Sequence, residues 1–133
     1  MGTLQLEVVT PDRTVVSAEA EMVVCPGVEG EFGVLPQHVS LLSALKTGPL
    51  RYRAGGKDEY LFIAGGFADV NNDVMTVLAE SAERAADIDT ARAEAARDRA
   101  GKRLAGREDS VDVARAEAAL IRAVTRLHIA GLR

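Results

Sequence analysis

Apolar side chains recur at every second position in short runs up to about residue 84, then at every third or fourth position to the end. In TLQLEVV, Leu4, Leu6 and Val8 alternate with Gln5 and Glu7, which predicts a half-buried strand. Pro11-Asp12 opens a turn, and an extended Val- and Ala-rich stretch runs from Val15 to Cys25 until Pro26-Gly27 ends it. GPLRYRAGGKDEYLFIAGG predicts a hairpin about Gly55-Gly56, and FADVNNDVMTVLAE a second about Asn71-Asn72-Asp73. Gly65-Gly66 marks a bulge or a close approach of two strands. Short strands with frequent turns, and no long helix between them, predict a sandwich or barrel rather than a parallel βαβ array.

The helical period begins near residue 85. Asp87 is expected to cap a first helix, with Asp89 in its first turn and Gly106 as its stop. Asp109 or Ser110 is expected to cap a second helix that runs to about Ala130. The pattern gives the first helix a thin apolar face of Ile88, Ala91, Ala95 and Leu104. The second receives a thicker face of Val113, Leu120, Ile121, Val124 and Leu127. Gly101, inside the first helix, costs it roughly 1 kcal/mol relative to Ala. Such a hairpin buries little area and is marginal by itself.

The two helices share a phrase. ARAEAARDRAGKRL (91–104) returns as ARAEAALIRAVTRL (114–127), with ten of fourteen positions identical. Arg92, Arg99 and Arg103 recur as Arg115, Arg122 and Arg126, each trio along one helix face. A turn near 107–108 sets residue i opposite roughly 215 − i. Asp89 then falls near Arg126, and Arg92 near Arg122. Both pairs sit at the first helix's N-terminus, where N–H groups and the dipole favour phosphate. The residues alone allow two readings. One is an anion site; the other is a solvated charged face whose pairs contribute ~0.5 kcal/mol each. Arg97, Lys102 and Arg107 read as solvent-facing charges.

Composition narrows the function. Of 133 residues 47% are apolar, but Trp is absent, so the core is built from Val, Leu, Ile and Ala. The lone Cys25 excludes an intramolecular disulfide and reads as a small buried hydrophobe. The net charge of −4 divides unevenly: 6 basic and 12 acidic side chains before residue 85, 10 basic and 8 acidic after it. An acidic body with a cationic arm argues against nucleic acid and for an acidic protein surface or a phosphate-bearing ligand. The N-terminus does not read as a Sec-type signal peptide, and no run approaches the ~20 apolar residues of a membrane span. A soluble, intracellular-type chain is expected. His38 and His128 belong to no triad or metal motif, and a GxxxxGK[ST] loop is absent, so no catalytic constellation is present.

Three segments in order, EGEFGVLPQHVSLL (29–42), GGFADVNNDVMTVLAESAE (65–83) and IDTARA (88–93), precede the Ala/Arg-rich hairpin. Over essentially the whole chain this resembles the ε subunit of bacterial F-type ATP synthase. The resemblance implies an α+β fold: an antiparallel β-sandwich over 1–84 followed by an antiparallel two-helix hairpin over 85–133. It implies a non-catalytic rotor subunit that binds γ, sits on the polar loops of the c-ring and restrains ATP hydrolysis, with no required cofactor. The implied location is peripheral, at the cytoplasmic face of the bacterial plasma membrane. Glu31 and His38 match the family loop that approaches the c-ring and γ. Glu83, Ile88, Asp89, Arg92 and Ala93 match the first part of a nucleotide site, and Arg99, Arg122 and Arg126 the second. ATP, with or without magnesium, is the implied regulatory ligand. Glu83 is expected to take a neutral donor such as the adenine amino group, and the arginines the phosphates. In an extended state Arg115, Arg122 and Arg126 are expected to face an acidic segment of the catalytic β subunit.

Overall fold

The computed structural model describes residues 2–106 and 112–132. Among these, ten strands form one continuous sheet that folds over on itself. They are β1 (Leu4–Val9), β2 (Thr14–Ala20), β3 (Met22–Gly27), β4 (Gly30–Val34), β5 (Leu41–Leu45), β6 (Gly48–Ala54), β7 (Lys57–Ile63), β8 (Gly66–Asn71), β9 (Val74–Ala79) and β10 (Ala82–Arg84). Two helices follow, α1 (Thr90–Gly106) and α2 (Val113–Ala130).

The sheet runs β10-β7-β6-β3-β5-β8-β9-β1-β2, with β4 on the other flank of β3. β3 meets β5 at one paired position, Gly27 opposite Leu45, flanked by the Lys46 N–H to the Pro26 carbonyl at 2.9 Å and the Val28 N–H to the Ala44 carbonyl at 3.1 Å. At that seam the sheet turns from one layer of the sandwich to the other. Leu4, Leu6, Val8 and Val16 from one layer meet Val23, Leu50, Tyr52 and Leu61 from the other in a single core. The ladders are antiparallel except β1 with β9, which is parallel because β1 inserts beside the last strand of its layer. The stretch from Val15 to Cys25 is two strands rather than one. It breaks at Glu21, so that β2 pairs with β1 in one layer and β3 with β6 in the other. Both hairpins fall where the turn residues put them. Gly55 and Gly56 have φ of 59° and 75°, and Asn72 and Asp73 have φ of 51° and 59°. Left-handed pairs of this kind suit the twist of a two-residue hairpin. At Gly66 a Cβ would collide with the Leu78 carbonyl oxygen, the close strand approach expected there.

The helices depart from the sequence pattern in detail. Ala85–Asp87 forms a 3-10 turn and Ile88 is extended, so α1 starts later than expected. Its cap is Asp89 rather than Asp87: Asp89 Oδ1 accepts from the Arg92 N–H at 3.0 Å. Asp112 caps α2, accepting from the Arg115 N–H at 3.0 Å. The expected caps Asp109 and Ser110, the turn at 107–108 and Arg107 lie outside the described residues. Gly106 is the last helical residue.

The faces also differ. The buried residues of α1 are Ala93 and Ala100, whereas Ala91 and Ala95 are exposed. On α2 the buried residues are Ala116, Ala123, Ile129 and Ala130; Val113, Ile121 and Val124 are exposed. An alanine seam lets the helix axes approach closely, and that leaves no room between them for Ile121 or Val124. The hairpin docks through a second cluster, in which Ile88, Ile129 and Ala130 pack on Phe62, Ala64 and Ala85.

Candidate functional site

β10 pairs with β7 so that Glu83 stands opposite Phe62. Arg126 reaches both from α2. Its Nε donates to Glu83 Oε2 at 2.6 Å, and its guanidinium lies over the Phe62 ring at 4.3 Å from the centroid. Glu83 and Arg126 form one end of a cleft of about 240 Å³, whose other walls are Asp89, Arg92, Ala93, Ala96 and Arg99. Arg92, Ala93, Ala96 and Arg99 lie on successive turns of one α1 face, as the spacing of 92, 96 and 99 requires, and the cap residue Asp89 precedes them on the same side. This volume is just below the roughly 300–1,000 Å³ of ordinary small-molecule sites.

Charge is divided along the cleft. Both carboxylates are engaged, Glu83 by Arg126 and Asp89 by the Arg92 N–H. Arg92 and Arg99 have no ion-pair partner among the described residues. Since Asp89 already takes a first-turn N–H of α1, an anion here is met by guanidinium groups more than by the helix terminus. Such a groove suits a ligand with a polyanionic end and a hydrogen-bonding end.

Six of the eight sequence-matched nucleotide residues therefore share one wall system: Glu83, Asp89, Arg92, Ala93, Arg99 and Arg126. Arg99 is included although it lies two turns beyond Arg92. Ile88 is buried in the docking cluster instead, and Arg122 is half-buried on α2 without lining the cleft. Arg115 is exposed at the start of α2. Two residues join the site that the sequence did not single out. Ala96 follows Arg92 by one helical turn and was readable from that spacing. Phe62 depends on the β7–β10 pairing and has no local signal.

Glu31 stands in β4 opposite Pro26, in a strand rather than a loop, while His38 lies in the connection to β5. Glu31 shares a groove with Lys46 of the β5–β6 turn and His128 of α2. The outer face of the other layer carries an apolar row. Ala44 pairs with Phe67, Phe67 with Leu78, and Leu78 with Val9. Phe67 and Leu78 are each more than half exposed. Rows of this kind mark contact surfaces.

Two family models cover the chain: the beta-sandwich domain of the ATP synthase Delta/Epsilon chain over residues 3–85, and its long alpha-helix domain over 86–131. The chain belongs to the ATP synthase epsilon chain family. It is 55% identical over 129 residues to the ATP synthase epsilon chain of Nitratidesulfovibrio vulgaris (strain DP4), covering 97% of this chain and 96% of that one. It is 52% identical over 130 residues to the epsilon chain of Lawsonia intracellularis, covering 98% of each. A chain in the structure of Euglena gracilis mitochondrial ATP synthase, OSCP/F1/c-ring, matches it with a TM-score of 0.82 at 25% identity, over 100% of this chain and 83% of that one. Epsilon chains are accessory subunits of ATP synthase and not catalytic ones. Among the described residues no helix is long and apolar enough to cross a membrane.

Proposed function

We propose that this subunit is part of the central rotor stalk, couples the c-ring to γ, and uses its helical hairpin to restrain ATP hydrolysis. The observation that carries the regulatory reading is the Arg92–Arg99–Arg126 cleft beside Glu83. ATP closes this cleft, its phosphates on the arginines and its base toward Glu83 and Asp89. Magnesium arrives, where present, on the phosphates. The apolar row through Phe67 and Leu78 is the surface offered to γ, and the Glu31 and His38 edge is offered to the polar loops of the c-ring. The assembly sits at the cytoplasmic face of the bacterial plasma membrane, held there through these partners.

When the hairpin extends, Arg115, Arg122 and Arg126 face the catalytic β subunit. Arg126 cannot hold Glu83 and reach β at once, so nucleotide and inhibition compete. ATP at 100 times its dissociation constant favours the compact state by about 2.7 kcal/mol. Calorimetric titration of the full chain with ATP tests the ligand. Wild type binds, while Arg92→Ala and Arg99→Ala weaken binding about tenfold or more each. No binding by wild type removes the nucleotide from the reading. Truncation after Asp87 tests the tail: hydrolysis by the reconstituted complex rises at low ATP, and unchanged hydrolysis sinks the inhibitory role.

A second reading makes the protein a purely structural coupler whose hairpin stays folded. The Glu83–Arg126 bond favours it, because that bond ties the hairpin to the sandwich through the protein's own side chains. The same truncation separates the two.

A further inference from the structure

The connection between β4 and β5 carries two exposed apolar side chains, Leu35 at 58% and Val39 at 76%, with His38 between them. Its backbone is held in an unfavourable form. Gln37 has φ of 66°, in the left-handed region that side-chain-bearing residues rarely adopt. The His38 N–H donates to the Leu35 carbonyl at 3.2 Å, closing the turn, and His38 Nδ1 lies 2.7 Å from the Val39 carbonyl oxygen.

What secures this turn comes from the β8–β9 hairpin. The Gln37 N–H donates to Asp73 Oδ1 at 2.6 Å, across 36 residues of sequence. Asp73 is itself fixed, with φ of 59° and its carbonyl accepting from the Gln5 N–H at 2.8 Å. Ser40 Oγ approaches Asn71 Oδ1 at 3.4 Å from the same hairpin. A backbone N–H bonded to an ionised carboxylate is among the stronger hydrogen bonds. Strain that the surroundings hold in place points toward a functional use of the loop.

We propose that Asp73 is a positioning residue for subunit docking: its carboxylate holds Gln37 left-handed and so presents Leu35, His38 and Val39 as a preformed contact for the c-ring loops. This rests on the reading above that the His38 edge docks there. Ordering the loop before contact removes a cost that association would otherwise carry. Asp73 itself touches no partner; it acts through the Gln37 backbone.

The test uses the full chain and a purified γ–c-ring assembly lacking this subunit. Asp73→Gly keeps the left-handed turn but removes the acceptor. Asp73→Asn keeps both the turn and an acceptor oxygen. Asp73→Gly is expected to speed amide exchange at Gln37 and weaken binding about tenfold, the effect of one charge-assisted hydrogen bond. Asp73→Asn is expected to recover most of both. Should Asp73→Gly fail to fold, Gln37→Pro leaves the hairpin untouched but removes both the donor and, with φ locked at about −65°, the left-handed turn, and it too is expected to weaken binding. Wild-type binding by the variant that folds, with the loop loosened, overturns the positioning role. Val39→Asp checks the underlying reading separately: if it binds as wild type does, the loop is not a docking surface at all.

Discussion

Arg126 and Glu83 are 43 residues apart in the chain, yet Arg126 Nε donates to Glu83 Oε2 at 2.6 Å. Both side chains are less than one-third exposed, and the same guanidinium covers the Phe62 ring. The contact therefore ties α2 to the sandwich in a partly desolvated setting, where a charge-assisted bond is worth more than a surface pair. Arg126→Ala is expected to weaken hairpin docking by about 2 kcal/mol, from the lost bond and the lost stacking together. Hydrogen exchange checks this: α2 amides should lose protection while the β1 and β9 amides keep theirs. Arg126→Lys should fall between, because an ammonium neither stacks nor forks as a guanidinium does. Unchanged protection in α2 would show that the pair does not hold the hairpin.

The alanine seam makes an opposite pair of predictions. Ala123 is buried between the helices at 1% exposure, whereas Ile121, two residues earlier, is exposed. Ala123→Leu is expected to cost roughly 1–3 kcal/mol by forcing the helices apart. Ile121→Ser is expected to change stability by less than about 0.5 kcal/mol. Chemical denaturation of the two variants decides the matter. The reverse ranking would restore the helix face that hydrophobicity alone suggests.

Much of the fold is legible because alternation has a direct physical cause. In β1 every second residue faces the sandwich interior, so Leu4, Leu6 and Val8 declare the strand. β4 and β5 have no such clear signature. They lie at the seam and flank of the sheet, and most of their positions remain partly open to solvent. The helix faces mislead for a different reason. Pattern reading weights large apolar residues, while close helix packing here selects small ones. The cleft is half legible. Arg92 and Arg126 follow from helical spacing and antiparallel pairing, which also set Arg122 beside them although it does not line the cleft; Arg99 and Glu83 come from the family resemblance. The Phe62 platform exists only because β10 pairs with β7. Ile88 sits beside the cleft in sequence but turns into the docking cluster, because the 3-10 turn before it reorients the chain.

Gly66 stands where the β8 backbone has no space for a side chain against β9. Its φ is 122°, and a Cβ there would meet the Ala79 Cα at 2.9 Å as well as the Leu78 carbonyl oxygen. Both contacts are backbone, so no side-chain rotation relieves them. Gly66→Ala is expected to destabilise the sandwich by about 3 kcal/mol, combining the strained dihedral and the clash. Gly55→Ala has a positive φ but open space around it, so only the conformational cost of about 1 kcal/mol remains. Equal melting temperatures for the two variants would contradict the close-approach explanation.

Cys25 gives a pH dependence with a definite sign. It is fully buried in the sandwich core, and burial pushes its thiol up to about 12 from an ordinary 9.0. The folded protein therefore keeps the proton after the unfolded chain has released it. The resulting stability is complete below about pH 9 and is lost as the pH rises toward 12, at up to about 1.4 kcal/mol per pH unit. The comparison is with a variant lacking only the thiol, so that every other group contributes equally to both curves. Cys25→Ala loses a small amount of packing at every pH and none of this alkaline term. Urea unfolding of both proteins from about pH 8 to about pH 10.5 should show the wild-type advantage shrinking and then reversing, as linkage requires. Parallel stability curves across that range would mean that the thiol ionises as readily in the folded core as in the unfolded chain.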